Sequence, residues 1–394
     1  MRVLHVIPSL SLTKGGPTPI TINMVKSLRQ HGVDACVMTS DDDGTNRLKV
    51  PLHEWTPFND IPVYFLPRFK YPLKEFIYTP SALHFLKSNI NDFDIIHTHY
   101  LFSYLPWVAA LQARKMNKPY VMTPYGMLTP AAKSHRFLKK YMFFYAERNL
   151  LRTAAGIHCS TRAEVENVQQ FGVKGNTFVN PYIVMSAPTL TNPREELCTK
   201  YGIPHDHTII LFLARVHPIK QPDIIIQCAD QLIREGKKIH VIIAGSGDTA
   251  YIEQLKTMAT AGAAAKHITF AGFTAGRDRD VLYQGADIYA LPTHSENFGM
   301  TICEALDART PVAITTGVQI AEDLKNSGSA LVSEPTFSSF YKHLNLLVED
   351  PQLRKSIADN GCQWVRSQYS SHQTGLDLKG IYSSILAQGA STGR

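Results

Sequence analysis

The sequence alternates short runs rich in Val and Ile with longer segments of helical periodicity, and this alternation constrains the fold more than any other feature. Val3–Ile7, Asp34–Thr39 and Asp94–His97 are such runs in the first half, and Pro19–His31 is the clearest helical segment. Strands that alternate with helices predict βαβ units, and hence a parallel sheet that is buried on both faces.

The alternation starts again after Asn180–Pro193, a stretch that carries Pro and Asn residues. Thr208–Ala214 then has the pattern of a buried strand, and Pro222–Glu235 has that of a helix. Because 394 residues exceed what one ordinary core holds, we predict two doubly wound α/β domains with a boundary near residues 184–204. Parallel strands collect ligand loops at their carboxyl ends, so two such domains predict a ligand cleft between them.

Composition excludes several other classes of protein. The six cysteines are scattered and form no CxxC pair, which argues against a disulfide framework and against a structural zinc site. The formal net charge of +7 is not gathered into a stripe or tail, so it favours an anionic small ligand or an anionic membrane surface over nucleic acid. No apolar run reaches the roughly 18 residues needed to span a bilayer, and the first residues lack the features of a signal peptide. We therefore expect a cytoplasmic protein.

Two glutamates stand where a predicted strand passes into a helix. The strand ends at Leu291, a polar loop with Gly299 follows, and the helix begins near Met300. The free N–H groups of a helix N-terminus suit an anion such as a diphosphate. Glu296 lies in the loop, where it can contact a donor sugar, and Glu304 lies one turn into the helix, where it can accept two hydrogen bonds from a ribose. For two glutamates alone, a solvated loop residue and a helix-surface residue would be the better explanation. The buried strand before them, Gly299 between them and the apolar helix after them favour a site.

Two cations follow the predicted strand Thr208–Leu213. A diphosphate leaving group gains negative charge as the sugar–oxygen bond breaks, and it needs cationic partners at that moment. Arg215 offers a planar fork and Lys220 a point charge, so the pair could hold a diphosphate from two directions. On their own they could also be solvated surface cations, but their place after a strand matches that of Glu296.

With these motifs in place, the chain resembles the retaining glycosyltransferases of family 4, which have the GT-B fold. Arg-x4-Lys followed by Glu-x7-Glu carries the resemblance, and four shorter stretches support it, namely Ala244–Gly247, Phe270–Phe273, Gly328–Val332 and Lys14–Pro17. The resemblance covers nearly the whole chain. It implies an α/β protein of two facing Rossmann-like domains, with residues 1–185 plus a returning helix at about 373–394 on the acceptor side and residues 186–372 on the nucleotide-sugar side.

The resemblance also implies roles for particular residues. Arg215 and Lys220 would stabilise the leaving diphosphate, Glu296 would contact the donor sugar beside the reacting carbon, and Glu304 would bind the ribose. Further donor-binding positions would be Gly15, Gly16, Gly272, Asn297, Phe298, Gly299, Met300 and Thr301. The family retains the anomeric configuration and requires no metal or other cofactor.

One position departs from the family pattern. Members often carry a His near the donor sugar after the strand that here spans Tyr120–Thr123, and Tyr125 occupies its place. Tyr is a poor proton shuttle near neutral pH, because its pKa is about 10. His97 and His99, which end another strand, are the other candidates for contact with a sugar or an acceptor, although a lone His at a strand end is more often structural.

Two further segments invite a functional interpretation. Asp41-Asp42-Asp43 looks like the DxD metal motif of the other major glycosyltransferase fold, but it precedes Gly44 and predicts a solvated turn instead. Lys133–Arg152 mixes cations with aromatic residues, as does Arg68–Tyr71. Such segments fit a peripheral contact with an anionic membrane as well as they fit a helix packed on the sheet.

The function we expect is transfer of a sugar from a UDP- or GDP-type donor to a hydroxyl of a glycan or lipid-linked acceptor. Two alternatives stay open. One is a relative of the same fold without transferase activity, such as a sugar-nucleotide epimerase or a phosphorylase. The other is a catalytically silent subunit that binds sugar nucleotides.

Overall fold

The computed structural model describes the chain except residues 13–14, 45, 70–76, 130–136 and 393–394, and except the side chains of residues 137–143 and 390–392. Lys14, Lys70, Tyr71, Lys133 and Arg136 therefore lie outside the described residues, as does the start of the helix predicted from Ala131. The described chain divides into two compact units, Met1–Ile183 with Ser371–Arg394, and Val184–Ser370. The predicted bounds lie within two residues of this division.

The first unit is built on an eight-stranded sheet in the order β10-β9-β8-β7-β1-β2-β6-β5. All neighbours are parallel except β5 and β6. The strands are β1 (Arg2–Ser9), β2 (Asp34–Ser40), β5 (Trp55–Phe58), β6 (Ile61–Leu66), β7 (Ile95–His99), β8 (Tyr120–Thr123), β9 (Gly156–Cys159) and β10 (Thr177–Val179), and a separate hairpin pairs β3 (Asp42–Asp43) with β4 (Asn46–Arg47). The helices are α1 (Pro17–Gln30), α2 (Ser81–Asn89), α3 (Tyr104–Lys115), α4 (Phe137–Thr153) and α5 (Arg162–Gln170).

The second unit is built on a six-stranded parallel sheet in the order β13-β12-β11-β14-β15-β16. Its strands are β11 (Thr208–Leu213), β12 (Ile239–Ala244), β13 (Ile268–Gly272), β14 (Ile288–Leu291), β15 (Val312–Thr315) and β16 (Ala330–Ser333). Its helices are α6 (Pro193–Tyr201), α7 (Pro222–Arg234), α8 (Thr249–Ala261), α9 (Gly276–Gly285), α10 (Met300–Asp307), α11 (Ala321–Asn326), α12 (Phe337–Glu349) and α13 (Pro351–Gln368). Every residue of β12 is buried, as expected for a central parallel strand.

The C-terminal helix, α14 (Ser371–Thr392), belongs to the first unit although it comes last in the chain. It packs beside α1, where Lys379 Nζ donates to the backbone oxygen of His31 at 2.7 Å. Farther along, the Tyr382 hydroxyl lies 2.5 Å from His97 Nδ1 in the sheet. A fully buried tyrosine thereby connects the last helix with the centre of the first sheet.

The strand–helix alternation is confirmed. β8 spans the predicted Tyr120–Thr123, and β14 ends at the predicted Leu291. The predicted solvated turn at Asp41–Asp43 is wrong. Asp41 and Asp42 are buried. Asp41 accepts a hydrogen bond from the Arg68 backbone N–H at 2.7 Å, and the Arg68 guanidinium pairs with Asp42 at 3.0 Å. Two cations neutralise this acidic run: Arg47 pairs with Asp41 at 3.2 Å, and Arg68 reaches Asp42 from 26 positions away in the sequence. The local pattern did not reveal the second of these contacts.

Candidate active site

The loop between β14 and α10 has the form that the sequence predicts. β14 ends at Leu291 and α10 begins at Met300. Gly299 caps the helix with φ +79°, and a Cβ at this position would lie 2.7 Å from the Ile302 side chain. Glycine meets both requirements, because it alone reaches this backbone region without strain and adds no atom against Ile302. The first N–H groups of α10 are thereby left at the carboxyl end of the sheet.

Backbone hydrogen bonds hold Glu296 in place, in addition to the contacts that its carboxylate makes. Its N–H donates to the Gly317 oxygen at 2.9 Å, and its own carbonyl oxygen accepts from Gln319 at 3.1 Å. The carboxylate Oε1 accepts from the Asn297 N–H at 3.2 Å, and 23% of the side chain remains exposed. A carboxylate held in this way has a fixed direction and still has access to a ligand.

Lys220 is the partner of Glu296. Its Nζ lies 2.5 Å from Glu296 Oε2 and donates to the Ser295 oxygen at 3.0 Å. The two loops are joined at their backbones, since the His294 N–H donates to the Ile219 oxygen at 2.8 Å. Two residues that stand 76 positions apart in the sequence thus form one ion pair at the carboxyl end of the second sheet.

Arg215 lies on the same loop as Lys220, directly after β11. Its side chain is exposed, and within the described part of the chain it makes no ion pair. The loop packs tightly on the Ala244–Gly247 stretch: Val216 N–H donates to the Ser246 oxygen at 2.9 Å, and a Cβ on Gly247 would lie 2.0 Å from the Val216 oxygen. The two glycines of this stretch therefore allow the cationic loop its close approach. Gly272, at the end of β13, accepts the Gly245 N–H at 2.7 Å and is exposed beside the same stretch.

Glu304 meets two partners that the sequence reasoning missed. Arg279 Nη1 lies 3.2 Å from Glu304 Oε1, and the Tyr283 hydroxyl donates to Glu304 Oε2 at 2.9 Å. Burial raises the pKa of Glu304, while the Arg279 charge and the Tyr283 hydrogen bond lower it and the nearby Asp280 raises it further. Arg279 and Tyr283 lie four residues apart on α9, so they share one helix face, but that spacing alone does not say what the face meets.

The remaining positions of the loop contribute backbone more than side chain. Phe298 is buried and packs against Tyr369, with 4.8 Å between ring centroids, so its side chain belongs to the core. Thr301 Oγ1 lies 2.8 Å from the buried Tyr289 hydroxyl. Asn297 and Met300 are half-buried beside them.

His97 and His99, the candidates for contact with a sugar or an acceptor, are fully buried, which favours the structural role that is commoner for a histidine at a strand end. His97 uses both ring nitrogens internally, on Tyr382 and, at 2.7 Å, on Thr123 Oγ1. His99 also uses both, on His5 Nδ1 and on the Tyr125 hydroxyl, each at 2.9 Å. Burial lowers the pKa of both histidines well below the usual value, so they are neutral members of a polar core.

Tyr125 ends this buried chain. Its backbone is left-handed, with φ +52°, and its hydroxyl lies 2.9 Å from His99 Nδ1 and 3.1 Å from Thr21 Oγ1 on α1. A sugar hydroxyl at this position would compete with two internal partners. The main role that the structure gives Tyr125 is to tie strand β7 to helix α1, which begins just after the exposed Gly15 and Gly16.

Among the described residues, one group of three histidines, His5, His97 and His99, has ring nitrogens close enough to ligate a metal ion. The nitrogens of His97 and His99 are already paired with Tyr382, Thr123, Tyr125 and His5. The group is therefore a hydrogen-bonded cluster in the core.

Among the described helices, none has the length and apolar character that a membrane-spanning segment requires.

Two protein-family models match this chain, one over most of each unit. A model described as "Glycosyl transferase 4-like domain" matches residues 15–182, and one described as "Glycosyl transferases group 1" matches residues 193–364. The chain belongs to glycosyltransferase family 4. The second match contains the Arg215, Lys220, Glu296 and Glu304 positions, so the resemblance found in these motifs is confirmed at the level of the family.

Individual relatives are distant. The chain is 27% identical over 194 residues to the alpha-D-kanosaminyltransferase of Streptomyces kanamyceticus, a match that spans 49% of this chain and about half the length of that relative. It is 22% identical over 395 residues to the D-inositol 3-phosphate glycosyltransferase of Corynebacterium aurimucosum, covering 95% of this chain and 92% of that protein.

A solved structure, that of Anabaena HepE in complex with UDP and glucose, has a TM-score of 0.79 and 20% identity and covers 98% of this chain and all of that one. At this identity the likeness shows the fold alone. The fold is GT-B, with the two Rossmann-like units that the sequence predicted.

Proposed function

We propose that this glycosyltransferase is a retaining enzyme that moves a sugar from a nucleoside diphosphate sugar to a hydroxyl acceptor. The observation that carries the proposal is the ion pair of Lys220 with Glu296 at the N-terminal end of α10. It places a cation, a carboxylate and free backbone N–H groups together at the carboxyl end of one parallel sheet. These are the groups that a phosphate next to a sugar requires.

The chemistry follows from the charges. As the bond between the anomeric carbon and the diphosphate breaks, negative charge grows on the phosphate oxygens, and Arg215 with Lys220 would offset it. Because these two side chains supply the positive charge, the proposal needs no metal ion. Once the diphosphate takes over Lys220, the carboxylate of Glu296 would be free to contact the donor sugar from the position in which its backbone holds it. In a front-face displacement the leaving phosphate would help to accept the proton of the acceptor hydroxyl, so the new bond forms on the face that the old one left.

For the donor, we propose a UDP- or GDP-type sugar. The structure with UDP and glucose that shares this fold supports testing UDP-glucose first.

For the acceptor, we propose a hydroxyl of a glycan or a lipid-linked glycan, reached by a cytoplasmic enzyme that contacts the membrane peripherally. The mixed basic and aromatic segments at 68–71 and 133–152 motivate that part, although much of them lies outside the described residues.

The test is a screen of nucleotide sugars for thermal stabilisation and for donor hydrolysis, followed by Glu296→Ala and Glu296→Gln in the responding donor. A ligand that binds only the folded state at a hundred times its Kd stabilises by about 2.7 kcal/mol, which a melting curve detects easily. We expect Glu296→Ala to abolish transfer while the protein stays folded and binds the nucleotide diphosphate. An unchanged rate in Glu296→Ala would refute the site. Nucleotide binding by the wild type without product from any acceptor would favour a silent binding subunit instead.

A further inference from the structure

Glu304 is held from one side by two residues of a neighbouring helix. Arg279 and Tyr283 stand one turn apart on α9, and each contacts a different oxygen of the carboxylate, at 3.2 and 2.9 Å. The carboxylate keeps some access, since 17% of the Glu304 side chain is exposed. Arg279 Nε is itself buried with no hydrogen-bond partner among the described residues. Burying an unpaired donor costs free energy, and an arginine exposed on the surface would avoid that penalty.

These contacts leave part of the hydrogen-bond acceptor capacity of the Glu304 carboxylate unoccupied. An ionised carboxylate has two oxygens with about four acceptor positions in all. Arg279 occupies one on Oε1 and Tyr283 occupies one on Oε2. Within the described chain, one position on each oxygen has no partner on α9, and the side chain keeps 17% exposure through which a ligand could reach it. Two neighbouring hydroxyl donors, as on a ribose, match that remainder.

The fit between the two unused acceptor positions and two ribose hydroxyls depends on the charge of Glu304. A protonated carboxyl group gives up an acceptor position to its own proton and becomes a donor there. Burial favours that neutral form, and Arg279 opposes it. The titratable groups around this carboxylate are Arg279, Asp280 and Tyr283 on α9, Tyr289 on β14, and Cys303 on its own helix. Arg279 is the one cation among them.

We infer that Arg279 and Tyr283 are positioning residues that make Glu304 a selector for ribose over deoxyribose in the donor nucleotide. Arg279 keeps the carboxylate ionised, and the two side chains together aim its two unused acceptor positions at the 2′ and 3′ hydroxyls. This inference rests on the proposed function, because it assumes that a nucleotide occupies this end of α10.

The experiment measures the Kd of UDP and of 2′-deoxy-UDP by calorimetry at pH 6, 7 and 8, with GDP and 2′-deoxy-GDP used in parallel. The variants are Arg279→Leu, Arg279→Lys, Tyr283→Phe and Glu304→Gln. Arg277→Leu is the matched control, since Arg277 lies on the same helix and pairs with Glu196, at 2.7 Å, instead of Glu304.

We expect the wild type and Arg277→Leu to prefer the ribonucleotide by about tenfold to a hundredfold, as for one hydrogen bond to a charged group. Arg279→Leu should lose most of this preference, and the loss should be larger at pH 6 than at pH 8, because a higher pH favours the ionised form of Glu304. Arg279→Lys should keep a partial preference because it keeps the charge, and Glu304→Gln should lose it at every pH. Tyr283→Phe should lower it several-fold without a pH dependence of its own.

Two outcomes would overturn the inference alone, and a third would overturn the proposed function on which it rests. If Arg279→Leu keeps both the ribose preference and the wild-type pH profile, Arg279 does not position Glu304. If Arg279→Leu does not fold, the same question is decided by Arg279→Lys and Tyr283→Phe, and a wild-type preference in both would again refute it. If the wild type binds neither UDP nor GDP, the proposed function itself fails.

Discussion

The buried Glu147 gives the sharpest prediction about stability. It lies on α4 in the first unit, is 1% exposed, and accepts the Phe102 backbone N–H at Oε1 at 2.8 Å. Its Oε2 has no hydrogen-bond partner among the described residues. Burial raises the pKa of Glu147 from 4.5 to about 7, with the Phe102 hydrogen bond opposing the shift. Glu147→Gln keeps an oxygen for Phe102 and removes the titration.

The sign and the size of the effect follow from the two pKa values. A carboxyl group whose pKa is higher in the folded state contributes stability that is fully present below pH 4.5 and is lost as the pH rises through about 7. A shift of this size corresponds to on the order of 3 kcal/mol, at about 1.36 kcal/mol for each pKa unit. Most of it is lost between pH 5 and pH 8, so over that range the wild type should weaken relative to Glu147→Gln by about 2–3 kcal/mol.

The assay is equilibrium unfolding in urea at pH 5, 6, 7 and 8, with hydrogen exchange used to follow the unit that carries Glu147. The matched control is Glu164→Gln, because Glu164 is equally buried but bonds through both oxygens, to the Gly126 N–H at 2.6 Å and to the Ser160 N–H at 2.8 Å. This control should be destabilised, since one amide N–H₂ would face a donor. Parallel curves of stability against pH for the wild type and Glu147→Gln would refute the reasoning.

Three further predictions concern the site and its frame. Lys220→Gln should lower kcat by about 10²–10³, as loss of one charge-stabilising donor does, and should cost about 1–3 kcal/mol in stability because Glu296 loses its cation; a kcat within threefold of the wild type would speak against the leaving-group role. Gly299→Ala should cost about 1–3 kcal/mol in urea unfolding, because of the left-handed backbone and the contact with Ile302; equal stability would mean that the loop can shift. Tyr382→Phe should cost about 1 kcal/mol by removing the partner of His97, and no loss would show that the buried ring finds another donor or acceptor.

Much of the fold could be predicted because parallel sheets have a strong sequence signature. Strands such as β11 and β14 are continuous apolar runs bounded by turn residues, and their ends could be read to within one residue. The strands β5 and β6 were not predicted. They are rich in Pro and aromatic residues, and their pairing, Trp55 opposite Tyr64, is antiparallel at the edge of the sheet. The hairpin at Asp42–Asp43 was also missed, because strands of two residues have no periodic pattern and one cation that pairs with its aspartates, Arg68, is distant in the sequence.

The candidate site could be predicted in part for a similar reason. Arg215, Lys220, Glu296 and Glu304 each follow a strand end, and the parallel topology brings such ends to one edge of the sheet. Their partners could not be predicted. Arg279 and Tyr283 meet Glu304 only because α9 packs near α10, and His97 Nδ1 finds its partner Tyr382 only because α14 returns to the first sheet. Sequence patterns show which residues follow the end of a strand. Tertiary packing decides which of these residues remain accessible to a ligand.

The return of α14 to the first unit has a consequence for how the protein is made. The first unit is discontinuous in the sequence, so on the ribosome residues 1–183 emerge well before the helix that completes them. In that interval His97 has no Tyr382, the His31 carbonyl lacks Lys379, and the face of α1 that packs on α14 is bare. The second unit, by contrast, is continuous and can fold as soon as it emerges. The first unit therefore begins to emerge first but completes its fold last. A fragment ending near residue 185 should be recovered in folded form only when α14 is supplied as a separate peptide.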